Sequence, residues 1–332
     1  MPEAAVSVLI VSWNSAAYLP RCLDALASQD FRDFEVLIVD NASTDGSTAD
    51  LVARYSGLRL RLESLGENIG FAAANNLGAR LARGTWLALL NPDAFPEPAW
   101  LEQLVRASAD RPDSFFASRQ IQANRPMLLD GEGDVYYTSG LARRQNHNLR
   151  YSDAGPAREV FSACAAAAMY PRLEFLQAGG FDEDYFAYHE DVDLGFRLRL
   201  RGLPCFLVPT AIVHHVGAGS TGPRSAFSTY HGHRNLVWTY VKNMPSPWFW
   251  LYLPLHIVVN LLSMLYFVLA GRGVAILRAK LDALSGLPRV FAKRRVVQAQ
   301  RTAAAGDVVR HMNHNPTGPL EGWITRRRPN AD

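Results

Sequence analysis

Residues 35–47 read Glu-Val-Leu-Ile-Val-Asp-Asn-Ala-Ser-Thr-Asp-Gly-Ser, an apolar run that stops on Asp40 and breaks into turn-forming residues. An unalternated, β-branched run of this length predicts a strand over Glu35–Val39 buried on both faces. Asn41 to Ser47 predict a turn. Ser47, with Asp50 three residues on, resembles a capping box for a helix through about Tyr55. The same alternation continues on either side. Upstream, Ser7–Ser12 is a compact apolar run, followed at 16–29 by helical spacing at Leu19, Leu23, Leu26 and Ala27. Downstream, Leu58–Glu63 predicts a third strand, Asn68-Ile-Gly-Phe a loop opening into an Ala/Leu-rich helix at about 72–83, and Thr85–Leu90 a fourth strand stopped by Asn91-Pro92. This β-α-β-α-β order predicts an α/β fold with a mostly parallel sheet and helices on both faces.

In such sheets ligands bind at the carboxyl ends of the strands. Asp40 and Asp93 both fall at such ends. Two carboxylates at adjacent strand ends repel unless a cation or a hydrogen-bonding ligand sits between them. Asp45 reads as a turn residue. Beyond residue 110 the pattern is less legible: residues 110–160, rich in Arg, Asn, Gly and Asp, predict irregular structure and short strands. Phe161–Tyr170 predicts a strand, Leu173–Ala178 a short helix closed by Gly179-Gly180, and about Asp191–Arg201 a helix with Gly202 as its cap. Phe206–Val208 and Ile212–Val213 read as short strands leading to His214-His215.

The chain of 332 residues is 48% apolar and has a net charge of +3, which conceals an asymmetry. Residues 222–332 carry 15 Lys+Arg and 4 Asp+Glu, and residues 1–221 carry 19 and 27. A basic segment of this kind points to nucleic acid or to an anionic membrane, and the adjacent apolar run decides for the membrane, with no nucleic-acid partner. Three scattered cysteines, Cys22, Cys164 and Cys205, predict reduced thiols and a cytosolic setting. The N-terminus lacks a basic n-region, so no signal peptide is expected.

The ordered pieces Ser12-Trp-Asn, Val39-Asp-Asn-Ala-Ser-Thr-Asp-Gly-Ser, Asn68-Ile-Gly-Phe-Ala-Ala-Ala-Asn-Asn, Leu90-Asn-Pro-Asp-Ala, Gly179-Gly-Phe-Asp-Glu and His189-Glu-Asp-Val-Asp-Leu resemble the family 2 glycosyltransferases of GT-A fold. They are most similar to the bacterial rhamnosyltransferase-like branch, over about residues 6–245. The resemblance implies an inverting transfer from a nucleotide-sugar donor, dTDP- or UDP-linked and with dTDP-rhamnose leading, to a lipid-linked saccharide acceptor in cell-surface polymer synthesis. It assigns Asp40 to the nucleobase, where the bland alternative is a turn or capping residue. Asn91-Pro-Asp93 stands where the family has DxD, a motif that binds a divalent cation (Mg²⁺ or Mn²⁺) bridging the diphosphate. Here the first carboxylate is Asn91, so one anionic ligand is missing. Asp191 is implied as general base, with Glu190 positioning it or binding the acceptor. Asp193 points away around the helix. Of His214 and His215, the latter is favoured as a metal ligand beside Asp93. Gly217–Thr221 offers backbone N–H groups to phosphate. Ser12, Asn14, Asn68, Arg234 and one of Asn75 and Asn76 are further candidates for the donor site. Two other readings are a nucleotidyltransferase, for which Ser12-Trp-Asn-Ser supplies no triphosphate fingerprint, and a catalytically silent nucleotide- or lipid-binding scaffold. A dinucleotide-dependent oxidoreductase is excluded by the missing GxGxxG.

Trp248–Ala270 is an apolar run of 23 residues, about 34 Å long as a helix and enough to span a bilayer. Pro254, His256 and Asn260 interrupt it, and basic residues flank both ends, against a single span. The reading is therefore an interfacial or re-entrant hairpin on the inner leaflet, at the cytoplasmic face, with Trp248 and Trp250 near the headgroups. The expected division is a catalytic domain at 1–245, a membrane-associated helical segment at 246–300 and a flexible basic tail at 301–332.

Overall fold

The computed structural model describes residues 4–151, 155–217 and 225–315. In chain order its elements are β1 Val6–Ser12, α1 Leu19–Ala27, β2 Phe34–Asp40, α2 Leu51–Arg54, β3 Leu60–Ser64, α3 Gly70–Leu81, β4 Trp86–Leu90, β5 Ala94–Pro96, α4 Trp100–Asp110, β6 Phe115–Gln122, β7 Arg125–Gly131, β8 Asp134–Tyr136, β9 Ala142–Arg144, β10 Arg158–Val160 and β11 Ala167–Pro171. There follow α5 Arg172–Gln177, α6 Glu190–Leu200, β12 Cys205–His215, α7 Ala226–Asn243, α8 Trp248–Phe267, α9 Gly273–Ser285, α10 Leu287–Ala299 and α11 Ala305–Arg310.

One mixed sheet of ten strands carries the order β10-β12-β6-β11-β4-β1-β2-β3, with β5 paired to β12 and β7 to β6. The first four main strands are parallel, as the alternation predicts, and Ser12 lies level with Asp40 at the end of β1 and β2. The second half departs from it. β11 runs antiparallel to both β4 and β6, while β12 is parallel to β6. The strand expected over Phe161–Tyr170 is formed only from Ala167 onward. The two short strands expected at 206–213 are one strand, β12, with an irregularity between Val208 and Ile212. The first core layer packs the buried face of α1 (Leu19, Cys22, Leu23, Leu26) and α4 against the sheet. The second packs α3 and α6 on the other side. The three cysteines are free and buried.

The capping box is not formed. Asp50 sits in the left-handed region at φ 54°, its side chain caps nothing, and α2 is only four residues long. Asp45 does hold the turn, accepting from the amides of Ala16 and Ser47.

The C-terminal third is not a detached appendage. Trp238 on α7 donates to the carbonyl of Ala283, Arg294 to those of Val241 and Met244, and Gln298 to that of Asn243. Part of the basic excess is used internally: Lys293 pairs with Asp182 and Asp184, Arg289 with Asp184, and Lys242 with Asp182 and Asp193. Residues 301–315, expected as the start of a flexible tail, are packed on the rest: α11 buries Val308 and Val309, and Asn313 exchanges backbone bonds with Tyr136 and Thr138. Residues 316–332 lie outside the described range.

Helices α8 and α9 fold back on one another. The turn at Val268–Arg272 places Gly271 at φ 76°, and Lys280 Nζ meets Asn260 Oδ1 at 2.5 Å, ten residues from the middle of the turn, Ala270, on either arm. His256 and Asn260, the polar interruptions of the apolar run, are thereby satisfied. His256 bonds the carbonyl of Ser139 and stacks on Tyr240, and Asn260 bonds the carbonyl of His256. Leu261, Leu262, Leu265, Leu269 and Val274 remain exposed around the tip.

Candidate active site

A cavity of about 760 Å³ opens at the carboxyl ends of β1 and β4 and is closed on its other side by the start of α6. Two groups of side chains define its chemistry.

The first begins at β4. After Asn91-Pro92-Asp93 the chain turns back as β5 and pairs antiparallel with the end of β12, with Ala94 level with His215. That register delivers His215 Nε2 to 3.3 Å from Asp93 Oδ1, and the amide of Val216 to the carbonyl of Asp93. Alternation along β12 then sends His214 the other way, onto Glu97 at 3.0 Å. His215 Nδ1 meets Asp130 Oδ2 at 2.7 Å, and Asp130 in turn is paired with Arg144 from β9. Burial disfavours charge on His215, but its hydrogen bonds to Asp130 and Asp93 raise its pKa overall. Asp130 is pulled down to about 2, because the His215 bond and Arg144 outweigh its burial.

The second group is the start of α6. Asp191 Oδ2 accepts from the amide of Ala165 at 3.2 Å, Oδ1 accepts from Val192 N–H at 2.8 Å, and the side chain borders the cavity half-buried. Glu190 is buried, and its Oε2 has no hydrogen-bond partner among the described residues. Burial, then the charge of Asp191, pushes its carboxyl well above the usual range. Asp193 faces away, as expected, into a bonded set with Arg197, Lys242 and Asn243. Asp134, which also borders the cavity, accepts from Ser162 Oγ and is pushed up to about 8 by burial and by Asp191. Burial lifts Cys164 to about 12, which leaves an unreactive thiol in the wall.

Of the residues singled out from sequence, Asn68, Asn91, Asp93, Glu190, Asp191 and His215 border this cavity. Four do not. Asp40 is buried, with Oδ1 on the amide of Ser43 and Oδ2 on Thr48 Oγ1, so the described contacts are those of the turn. Ser12 bonds Ser15, and Asn14 tethers Thr44. Arg234 lies outside the lining. Its guanidinium holds the carbonyls of Asp184 and Tyr185 and stacks on Trp238. Neither Asn75 nor Asn76 faces the donor side: Asn76 clamps Phe181 from both sides of its peptide, and Asn75 bonds Phe71. The proposed phosphate cradle at Gly217–Thr221 falls mostly on residues 218–224, outside the described range.

The sequence reading missed Trp13, Asn41, Asp134, Arg143 and Arg144. Asn41 was within reach of it, since it follows Asp40 in the quoted motif and bonds both Asn68 and the Ile69 amide. The other three acidic and basic residues lie in the stretch that gave no pattern.

A divalent ion fits at Asp93 and His215. The two donors are 3.3 Å apart, a separation suited to sharing one ion, and Asp130 fixes the imidazole from behind. Among the described residues no cluster of three or more His, Cys, Asp or Glu would cage an ion alone. The remaining ligands would have to come from substrate oxygens and water.

The family model described as Glycosyl transferase family 2 matches residues 7–156. The N-acetylglucosaminyl-diphospho-decaprenol L-rhamnosyltransferase of Mycobacterium tuberculosis is 30% identical over 271 residues, covering 73% of this chain and 85% of that protein. Among solved structures, GalNAc-T7 with UDP, GalNAc and Mn²⁺ matches with TM-score 0.61 at 16% identity, over 72% of this chain and 48% of that one. Staphylococcus aureus TarS 1–349 matches with TM-score 0.55 at 16% identity, over 98% and 93%. The chain belongs to the family 2 glycosyltransferases, in the rhamnosyltransferase-like branch, and has the GT-A-like mixed α/β fold.

Proposed function

We propose that this glycosyltransferase moves a sugar with inversion from a nucleotide-sugar donor to a lipid-linked saccharide, at the cytoplasmic face of the membrane, in cell-surface polysaccharide synthesis. The leading donor is dTDP-rhamnose, supported by the activity named for the mycobacterial relative. The observation that carries the reading is that Asp191 and the Asp93–His215 pair border one cavity. Asp191 takes the proton of the acceptor hydroxyl as that oxygen attacks the anomeric carbon. Glu190, buried next to it with Oε2 unpartnered among the described residues, is placed to position Asp191 or bind the acceptor. Arg144, held by Asp130, keeps positive potential near these carboxylates. Trp13, Asn41 and Asn68 border the same cavity and are assigned to the nucleotide in this reading. Asp93 and His215 would hold a divalent ion, which when bound neutralises the leaving diphosphate.

The α8–α9 hairpin is the membrane contact in this reading. Its arms beyond the Asn260–Lys280 contact reach about 15 Å, close to half of a hydrocarbon core of about 30 Å. That length suits entry into one leaflet. The test of donor and stereochemistry is direct. Purified protein is offered dTDP-rhamnose, UDP-glucose and UDP-N-acetylglucosamine with a synthetic N-acetylglucosaminyl diphospholipid, with and without Mn²⁺. Transfer from dTDP-rhamnose, with inverted anomeric configuration by NMR and lost on chelation, is expected. Transfer from UDP-sugars alone would overturn the donor, and a retained configuration the mechanism.

A further inference from the structure

The cavity wall beside Asp191 is aromatic. Phe186 and Tyr188 come from the segment that leads into α6, and Phe227 lies on the first turn of α7; all three border the cavity. Phe227 contacts Phe186 at 6.2 Å and Tyr188 at 6.1 Å between ring centroids, and His231 one turn later packs under Phe227 at 4.4 Å and stacks on Phe186 at 5.6 Å. This is not a core cluster, because Phe227 is 37% exposed and the other three rings are only partly buried.

The backbone that presents these rings is strained. Phe186, Tyr188 and His189 all have positive φ, at 63°, 68° and 67°, a region that side-chain-bearing residues avoid. The fold fastens them there. Asn235 Nδ2 donates to the carbonyls of Tyr185, Ala187 and Tyr188, and the Ala72 amide donates to that of Phe186. Gly70 completes the arrangement: a Cβ there would stand 2.6 Å from the Phe186 ring. Strain held by this many contacts, in the five residues before Asp191, marks a surface with a task.

We propose that Phe186, Tyr188 and Phe227 form the acceptor subsite, on which the pyranose ring of the acceptor saccharide stacks by its apolar face so that its hydroxyl meets Asp191. The inference rests on the transferase reading above. α7 runs from this ledge to the hairpin, where His233 packs on Phe267, so an acceptor anchored in lipid has a continuous approach.

Phe227→Leu keeps apolar volume and removes the ring, and Phe227→Tyr keeps the ring. With the synthetic N-acetylglucosaminyl diphospholipid, Phe227→Leu should raise the acceptor KM about five- to tenfold, the size of one aromatic contact, with donor KM and acceptor-independent donor hydrolysis unchanged. Phe227→Tyr should restore it. The same loss should persist with a short-chain, water-soluble acceptor. An unchanged acceptor KM overturns the proposal, as does a loss confined to long-chain acceptors, which would make the ledge a contact for the lipid tail. A wild-type protein that transfers no sugar would instead overturn the reading of function.

Discussion

At the scale of single residues, the site works by making neighbouring carboxyls unequal. Asp191 accepts two backbone N–H bonds at the mouth of α6, while Glu190 and Asp134 beside it are buried, and burial and the charge of Asp191 raise both carboxyls above the usual range. Asp134 gives a pH prediction. Its carboxyl titrates at about 8 in the folded protein, against about 4 in an unfolded chain. Between those values the folded state holds the extra proton, so this contribution to stability is complete below about pH 4 and lost as pH rises through about 8. Asp134→Asn removes the titration, and the fall in Tm from pH 5 to pH 8 should shrink relative to wild type. An unchanged fall would show that the group does not carry it. Gly70 gives a second prediction. With φ 88° and the Phe186 ring overhead, Gly70→Ala should cost about 1–3 kcal/mol in urea unfolding; a loss below about 0.5 kcal/mol would contradict the packing. What the sequence disclosed at this scale was which acids sit at strand and helix ends. It left open whether Asp40 serves a nucleobase or its own turn, because a hydrogen-bond partner eight residues along leaves no periodic trace.

At the scale of elements, β1 to β4 were legible because each is a short apolar run closed by turn residues. β6 was not, although all eight of its residues are buried. Its Arg119 and Gln122 are polar and find partners in Glu132 and the carbonyl of Leu129, so the strand carries no apolar signature. With β6 unseen, the β8–β9 pair that brings Asp134 and Arg144 to the cavity could not be placed. The apolar run at 248–270 shows the reverse. Its length and its polar breaks were readable: the turn at Gly271 ends the run and brings Lys280 to Asn260, while His256 is held by Ser139 and Tyr240. If the hairpin enters a leaflet, Leu269→Asp with Val274→Asp at its exposed tip should abolish flotation with anionic phospholipid vesicles while leaving turnover on a water-soluble acceptor intact. Vesicle binding that survives both charges would place the membrane contact elsewhere.

At the scale of the whole molecule, the two halves of the chain have opposite charge and meet in ion pairs. Lys242, Arg289 and Lys293 lie on the carboxylates of Asp182 and Asp184, just before the strained segment and α6. The C-terminal helices thus brace the loop that carries Phe186 and Tyr188 and leads to Asp191. The parallel half of the sheet supplies Asp93, the mixed half returns His215 to it, and α6 brings Asp191 to the same cavity. The measurement that tests this assembly most directly is Asp191→Asn, assayed for turnover and for nucleotide binding by calorimetry on one preparation. Turnover should fall by about 10²–10⁴ with nucleotide affinity within about twofold of wild type, because the variant keeps Asp93, His215 and the nucleotide wall. An Asp191→Asn protein with near-normal turnover, or one that loses nucleotide binding in step with activity, would contradict the account.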